Sequence, residues 1–145
     1  TSYISARRYD GCAEAFAAHH AAFGAADYEK ANYNYGSAYR AMSRLMERYQ
    51  EMTAVFCMSD IMAIGAIRAI RDHGLLVPRD ISVIGFDGIE LAQYCDPKLA
   101  TICQPGREIA HKSVELLISQ IKKGTAAQTI EVGVTLAEGD SVRDL

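Results

Sequence analysis

Two apolar stretches of this 145-residue chain are each followed at once by hydroxyl or acidic side chains. The stretch TAVFCM (53–58) leads into Ser59 and Asp60, and ISVIGF (81–86) leads into Asp87. If both stretches are parallel strands, these side chains face one crevice at the carboxyl edge of a sheet, where α/β proteins bind ligands. A structural role is open for each: Asp87 can accept from turn amides, and Ser59 and Asp60 can cap a helix.

Further side chains are suited to contact a small molecule. Arg7 and Arg8 lie in the first turn of the first predicted helix, where the helix dipole disfavours a cation. A planar guanidinium can grip a carboxylate or paired hydroxyls, with an ordinary surface arginine as the alternative. Tyr33 and Tyr35 offer flat faces for a sugar or a base, or simply half-buried packing. Gln104 is held extended by the proline that follows it.

The sequence contains no motif that indicates another kind of chemistry. The chain has no G-x-G-x-x-G, P-loop or G-x-S-x-G motif, and its four histidines are scattered. The four cysteines are Cys12, Cys57, Cys95 and Cys103, and they show no C-x-x-C spacing. This pattern disfavours a zinc site and a disulfide framework, and it favours a reducing compartment. A net charge of −3, from 15 basic and 18 acidic side chains, disfavours a surface that coats nucleic acid. No apolar stretch approaches the length of a membrane span.

The periodicity of the apolar residues alternates between strand and helix. This alternation predicts an α/β fold with a doubly wound, mainly parallel sheet. Helices are predicted at about 9–20, 37–49, 59–73 and 105–123, and strands at 31–33, 53–58, 81–85 and 129–136. Residues 87–101 are expected to form a long loop with a helical turn.

Three motifs in this order resemble the carboxyl-terminal half of regulators of the LacI/GalR family. They are SDIMAIG (59–65), VPRDISVIGFD (77–87) and TICQP (101–105), and the resemblance runs from SARRYDG (5–11) to the helix ending near residue 124. It implies a periplasmic-binding-protein-like fold of type I. Residues 1–104 would be the carboxyl-terminal subdomain, 105–124 a crossover helix of the partner subdomain, and 125–145 a return strand and tail. A DNA-binding helix-turn-helix and most of the other subdomain would lie upstream.

The resemblance also implies a ligand site. Arg8, three residues before a glycine, would grip the ligand; Tyr33 would stack on it; Asp87 would accept its hydroxyl or amine hydrogens. Gln104 would lie at the pocket edge, and Ser59 stands where many members have asparagine. Gly88 replaces a common second acidic residue, which is a further departure from the family pattern.

The family therefore implies a part of a bacterial transcriptional regulator that binds a sugar-like or purine-like effector and controls DNA binding allosterically. No catalytic residue, metal or cofactor is expected, and the protein would be cytoplasmic and dimeric or larger, with no membrane partner. It would contact DNA only through the upstream domain. The alternatives are a periplasmic sugar-binding protein of a transporter and, more remotely, a carbohydrate-processing enzyme that pairs Asp60 with Asp87.

The family pattern also implies that these 145 residues are part of a longer protein. A parallel strand would precede residue 1, and helix 105–123 would pack on the partner subdomain. Without them, apolar surface would be exposed, so the chain is expected to be a fragment that associates, most simply as a dimer.

Overall fold

The protein is described by a computed structural model that covers residues 3–124 and 126–144. The helices are α1 (Tyr3–Ala18), α2 (Tyr35–Arg48), α3 (Asp60–Asp72) and α4 (Gly106–Lys123), with short 3-10 turns at Ala25–Asp27 and Glu90–Tyr94. The strands are β1 (Ala54–Phe56), β2 (Ser82–Asp87), β3 (Ala100–Cys103) and β4 (Thr135–Ala137).

The four strands form one sheet in the order β1-β2-β3-β4. The first three strands are parallel, and β4 runs antiparallel to β3. Because β1, β2 and β3 are parallel, their carboxyl ends share one edge of the sheet. The residues that follow these strands are therefore neighbours in space, although they are far apart in the sequence.

The core lies between α2, α3 and the sheet. Apolar residues at helical spacing bury one face of α2, and the Asn34 side chain accepts a hydrogen bond from the Ser37 amide at 2.9 Å to cap the helix. Helix α3 approaches α2 closely because residue 65 is glycine: a Cβ there would lie 2.5 Å from the Tyr35 carbonyl oxygen. The largest fully buried apolar side chains are Met42, Ile70, Val83 and Leu99.

Much of the predicted architecture is confirmed. The α/β class, the mainly parallel sheet and the helices at 37–49, 59–73 and 105–123 are present with small shifts in their ends, and so is the helical turn within 87–101. Two strands also match: β1 lies within the predicted strand 53–58, and β2 overlaps the predicted strand 81–85 and extends two residues beyond it.

Four predictions were wrong in part or in full. Helix α1 begins at Tyr3, which places Arg8 in its second turn rather than its first. Residues 31–33 form no strand, because Asn34 caps α2 and Tyr33 adopts a positive φ of 51°. The expected loop 87–101 ends in β3, and the expected strand 129–136 is reduced to β4, since only Thr135–Ala137 pairs with β3.

Strand β1 lies at an edge of the sheet that the described residues form. The Thr53 carbonyl and the Cys57 amide bond to β2, so the backbone groups of Ala54 and Phe56 point the other way. A cavity of about 570 Å³ adjoins this edge, and its lining includes Tyr9, Phe16, Phe23, Tyr28, Met42, Leu45 and Val55. This mostly apolar hollow, which we call the edge cavity, separates β1 from part of α1.

Helix α4 carries an exposed apolar stripe formed by Val114, Leu117, Ile118 and Ile121, whose exposed fractions run from 45% to 74%. Within residues 3–124 and 126–144, no helix combines the length and apolar character needed to cross a lipid bilayer.

Ser141 joins the two central strands through its side chain. Its hydroxyl donates to the Val83 carbonyl at 2.6 Å and accepts from the Ala100 amide at 2.8 Å, and the residue is fully buried. We expect Ser141→Ala to lower the free energy of unfolding by about 1–3 kcal/mol, because it leaves buried backbone groups without partners. Urea unfolding followed by circular dichroism measures this loss.

The matched control is Ser113→Ala, since the Ser113 hydroxyl donates to the Ile109 carbonyl on the exposed surface of α4. Its effect should stay within about 0.5 kcal/mol. Equal losses in the two variants would contradict the assignment to Ser141.

Candidate functional site

Three of the predicted ligand contacts meet at the carboxyl edge of the sheet. Asp87 is the last residue of β2, and its Oδ1 accepts from Arg8 Nη2 at 3.0 Å and from Gln104 Nε2 at 2.8 Å. Arg8 comes from α1 and Gln104 follows β3, so three distant parts of the chain converge on one carboxylate. The Asp87 side chain is 31% exposed and the Arg8 side chain 12%, so solvent reaches the carboxylate more than the guanidinium.

The guanidinium of Arg8 is held on three sides. One terminal nitrogen donates to Asp87, and the other donates to the main-chain carbonyl of Met58, which follows β1. The guanidinium carbon lies 3.9 Å from the centre of the Phe86 ring, a distance typical of a cation–π contact. These contacts fix the plane of the guanidinium, which suits it to recognise two adjacent acceptor atoms.

The backbone at Asp87 is strained. Its φ is 115°, in a region that residues with a Cβ rarely adopt and that costs about 1–3 kcal/mol. Gly88 follows with a φ of 73°, and a Cβ on it would lie 2.5 Å from Cys103 Sγ and 2.9 Å from Cys103 Cα. A second acidic side chain therefore does not fit at residue 88, which gives the physical reason for this departure from the family pattern.

Tyr33 lies against α1. Its hydroxyl shares a 2.9 Å hydrogen bond with the hydroxyl of Ser5, and the residue is 39% exposed. Ser5 is three residues before Arg8, so both side chains lie on one face of the helix. Tyr33 is thus on the same side of α1 as the Arg8 guanidinium, while Tyr35 begins α2 and is exposed.

Ser59 is buried and caps α3. Its side-chain oxygen accepts from the Met62 amide at 3.3 Å, and only 3% of the residue is exposed. The cap accounts for a serine at this position, and a contact between Ser59 and a ligand stays a prediction.

Asp60 does not face the crevice, so of the two roles left open for it by the sequence, the structural one applies. The residue is fully buried, and its carboxylate accepts from the Thr101 hydroxyl and from the Ile89 amide. A carboxylate turned into the protein interior in this way cannot act with Asp87 on one substrate.

Sequence reasoning missed two parts of the site. The Phe86 ring lies beneath Arg8, and its position directly before the aspartate was the available signal. The carbonyl of Met58 carried no signal, because any residue supplies the same main-chain oxygen.

The cysteines and histidines build no second site in the described part of the chain. The four cysteine thiols are free, and no group of three His, Cys, Asp or Glu side chains there could hold a metal ion. Full burial raises the pKa of Cys57 to about 12, so this thiol is protonated at neutral pH.

Residues 1–142 match a protein family described as the periplasmic binding protein-like domain. Among curated proteins, the HTH-type transcriptional regulator MalR of Clostridium butyricum is 44% identical over 109 residues, which cover 75% of this chain and 32% of MalR. The HTH-type transcriptional repressor PurR of Erwinia tasmaniensis is 47% identical over 109 residues, with 74% and 32% covered. The chain therefore spans about a third of the length of these relatives.

A solved structure, a transcriptional regulator CelR–cellobiose complex, superposes with a TM-score of 0.88 at 27% identity, covering 92% of this chain and 41% of that one. The predicted periplasmic-binding-protein-like fold is thereby confirmed. With the family match over almost the whole chain, the order of the three motifs and the identity to curated regulators, the chain belongs to the LacI/GalR family of transcriptional regulators, within their periplasmic-binding-protein-like domain.

Proposed function

We propose that this chain is the effector-binding part of a transcriptional regulator, with Arg8, Asp87 and Gln104 as the polar contacts to a small ligand. The observation that carries the proposal is the convergence of these three side chains on one partly exposed carboxylate at the carboxyl edge of the sheet. Ligands of open α/β sheets bind at this edge.

The donors and acceptors fit a polyhydroxylated or amine-bearing compound. Asp87 accepts hydrogens, while Arg8 and Gln104 donate them, which matches the alternating roles of neighbouring hydroxyl groups. Tyr33 supplies an aromatic face next to this set and would stack on a sugar ring or a base. The cellobiose bound by CelR is one compound of this chemistry.

The remaining family features form part of the same proposal. The DNA-binding domain and most of the partner subdomain would belong to the intact regulator outside these residues, and α4 would pack on that subdomain. Ligand binding between the subdomains would change the angle between two protomers and so the spacing of their DNA-binding domains. The regulator would act in the cytoplasm as a homodimer or larger assembly, without a metal or cofactor.

Two other functions are less well supported. An enzyme with paired carboxylates would need Asp60 in the crevice, whereas this residue is buried against Thr101. A transporter's sugar-binding protein would use the same fold, but both curated relatives described above are HTH-type transcriptional proteins.

We expect Asp87→Ala and Arg8→Ala to weaken effector binding by the intact regulator roughly 5- to 150-fold, the equivalent of about 1–3 kcal/mol for unpaired polar groups. Arg8→Lys should not restore affinity, because an ammonium group cannot make the two-pronged contact. Calorimetric titration with cellobiose, other mono- and disaccharides, purine bases and nucleosides identifies the effector and measures the loss.

The control is Arg7→Ala, which removes the neighbouring, exposed arginine of α1 and should leave affinity unchanged. Binding by Asp87→Ala as tight as that of the unsubstituted protein would refute the assignment of the site. A lack of binding to every compound in the unsubstituted protein would count against the proposed ligand class.

We also expect the 145-residue chain by itself to associate, most simply as a dimer. The open edge of β1, the edge cavity and the exposed stripe of α4 leave more apolar surface than monomers usually tolerate. Light scattering at low concentration, with intact-mass analysis, measures the state. Leu117→Lys combined with Ile121→Lys should weaken association if α4 takes part, whereas a stable monomer of the unsubstituted chain would contradict the expectation.

A further inference from the structure

We propose that Asp60 is a positioning residue that holds Asp87 in its strained backbone conformation, and thereby keeps the Asp87 carboxylate facing the ligand. The inference rests on the proposed function for the role of Asp87 toward ligand. Asp60 itself touches no ligand in this scheme, because it is fully buried.

The Asp60 carboxylate contacts three segments around the site. Its Oδ2 accepts from the Ile89 amide at 2.8 Å, in the turn that follows β2. Its Oδ1 accepts from the hydroxyl of Thr101, which is fully buried in β3. Strand β2 passes so close to this oxygen that a Cβ at Gly85 would overlap it.

Helix capping does not account for this arrangement. An aspartate in the first turn of a helix is favoured by the helix dipole, and a surface position is sufficient for that effect. The Ser59 side chain already accepts from the Met62 amide. The carboxylate of Asp60 instead points away from its own helix, toward the neighbouring strand and turn.

The contact with Ile89 bears directly on Asp87. A residue with a φ of 115° keeps that conformation only where its surroundings fix it from both sides. On one side, Asp87 is paired in register with Cys103 of β3. On the other, two residues later, the Ile89 amide is held by Asp60. Without this second anchor, residues 87–89 can relax to an unstrained backbone, which turns the carboxylate away from Arg8 and Gln104.

The test compares amide exchange and backbone couplings, measured by NMR on the 145-residue chain, among four variants. In Asp60→Ala, the rate of hydrogen exchange should rise at both the Ile89 amide and the core amide of Val83. The factor of increase at Ile89 should be at least about ten times the factor at Val83, because the opening is local. The coupling between the amide and α protons of Asp87 should also change from that of a positive φ to that of an extended residue.

Thr101→Val is the matched control, because it removes the other hydrogen bond of the same carboxylate and leaves the Ile89 contact in place. Exchange at Ile89 and Val83 should rise there by the same factor, with the Asp87 coupling unchanged. Asp60→Asn should preserve the Asp87 conformation, since its amide oxygen can accept from Ile89 while its amide group donates to the Thr101 oxygen.

Ile89→Pro keeps the test decisive if Asp60→Ala does not fold. Ile89 has a φ of −68°, which suits proline. The substitution removes the N–H that Asp60 holds and replaces the Ile89 side chain, which packs against the core. The Asp87 coupling should change in this variant as well. An unchanged Asp87 coupling in Asp60→Ala, or in Ile89→Pro, would overturn the inference. This outcome does not depend on any ligand, so it is distinct from a failure of the proposed effector site.

Discussion

The buried carboxylate of Asp60 joins the start of α3, strand β3 and the turn after β2 in one set of hydrogen bonds. A buried carboxyl group is costly unless its hydrogen-bond partners are complete, and a buried polar group left without its partner typically costs about 1–3 kcal/mol. Both carboxylate oxygens of Asp60 have partners, and no buried side-chain oxygen or nitrogen in the described residues lacks one. At the same edge of the sheet, the Asp60 carboxyl group lies in the interior, whereas the Asp87 side chain is partly exposed to solvent.

The candidate site spans two parts of the structure that are packed differently. Asp87 ends β2 and Gln104 follows β3, and both strands pack with the α2–α3 core. Arg8 comes from α1, on which Ser5 is the buried residue in the described range. The attachments of α1 include the Arg8 hydrogen bonds, the Arg8–Phe86 contact, the Ser5–Tyr33 hydrogen bond and the aromatic contacts of Tyr9 and Phe16. A compound held between Arg8 and Asp87 would add a further link between these two parts, as expected where ligand binding is coupled to a change of shape.

Several features were predictable from the sequence because they depend on neighbours along the chain. Helices α2, α3 and α4 follow from apolar spacing, and the Ser59 cap follows from residue type. The placement of Asp87 and Gln104 at one edge follows once the strands are taken as parallel. The association of Arg8 with Asp87 came from the family resemblance, since no local pattern connects residues 8 and 87.

Other features were decided only when the chain folded. Strand β3 has a short and unremarkable sequence, and it becomes a strand because β2 and β4 supply hydrogen-bond partners on both sides. Residues 31–33 look like a strand and are not one, because the turn that caps α2 requires a different backbone. The inward direction of Asp60 depends on Gly85 and Thr101, which are 25 and 41 residues away in the sequence. These residues lie next to Asp60 only in the folded chain, so only the fold distinguishes a buried carboxyl group from one that faces a ligand. Local patterns determine which groups stand at the strand ends; the direction that each group faces is decided by partners that the sequence does not place beside it.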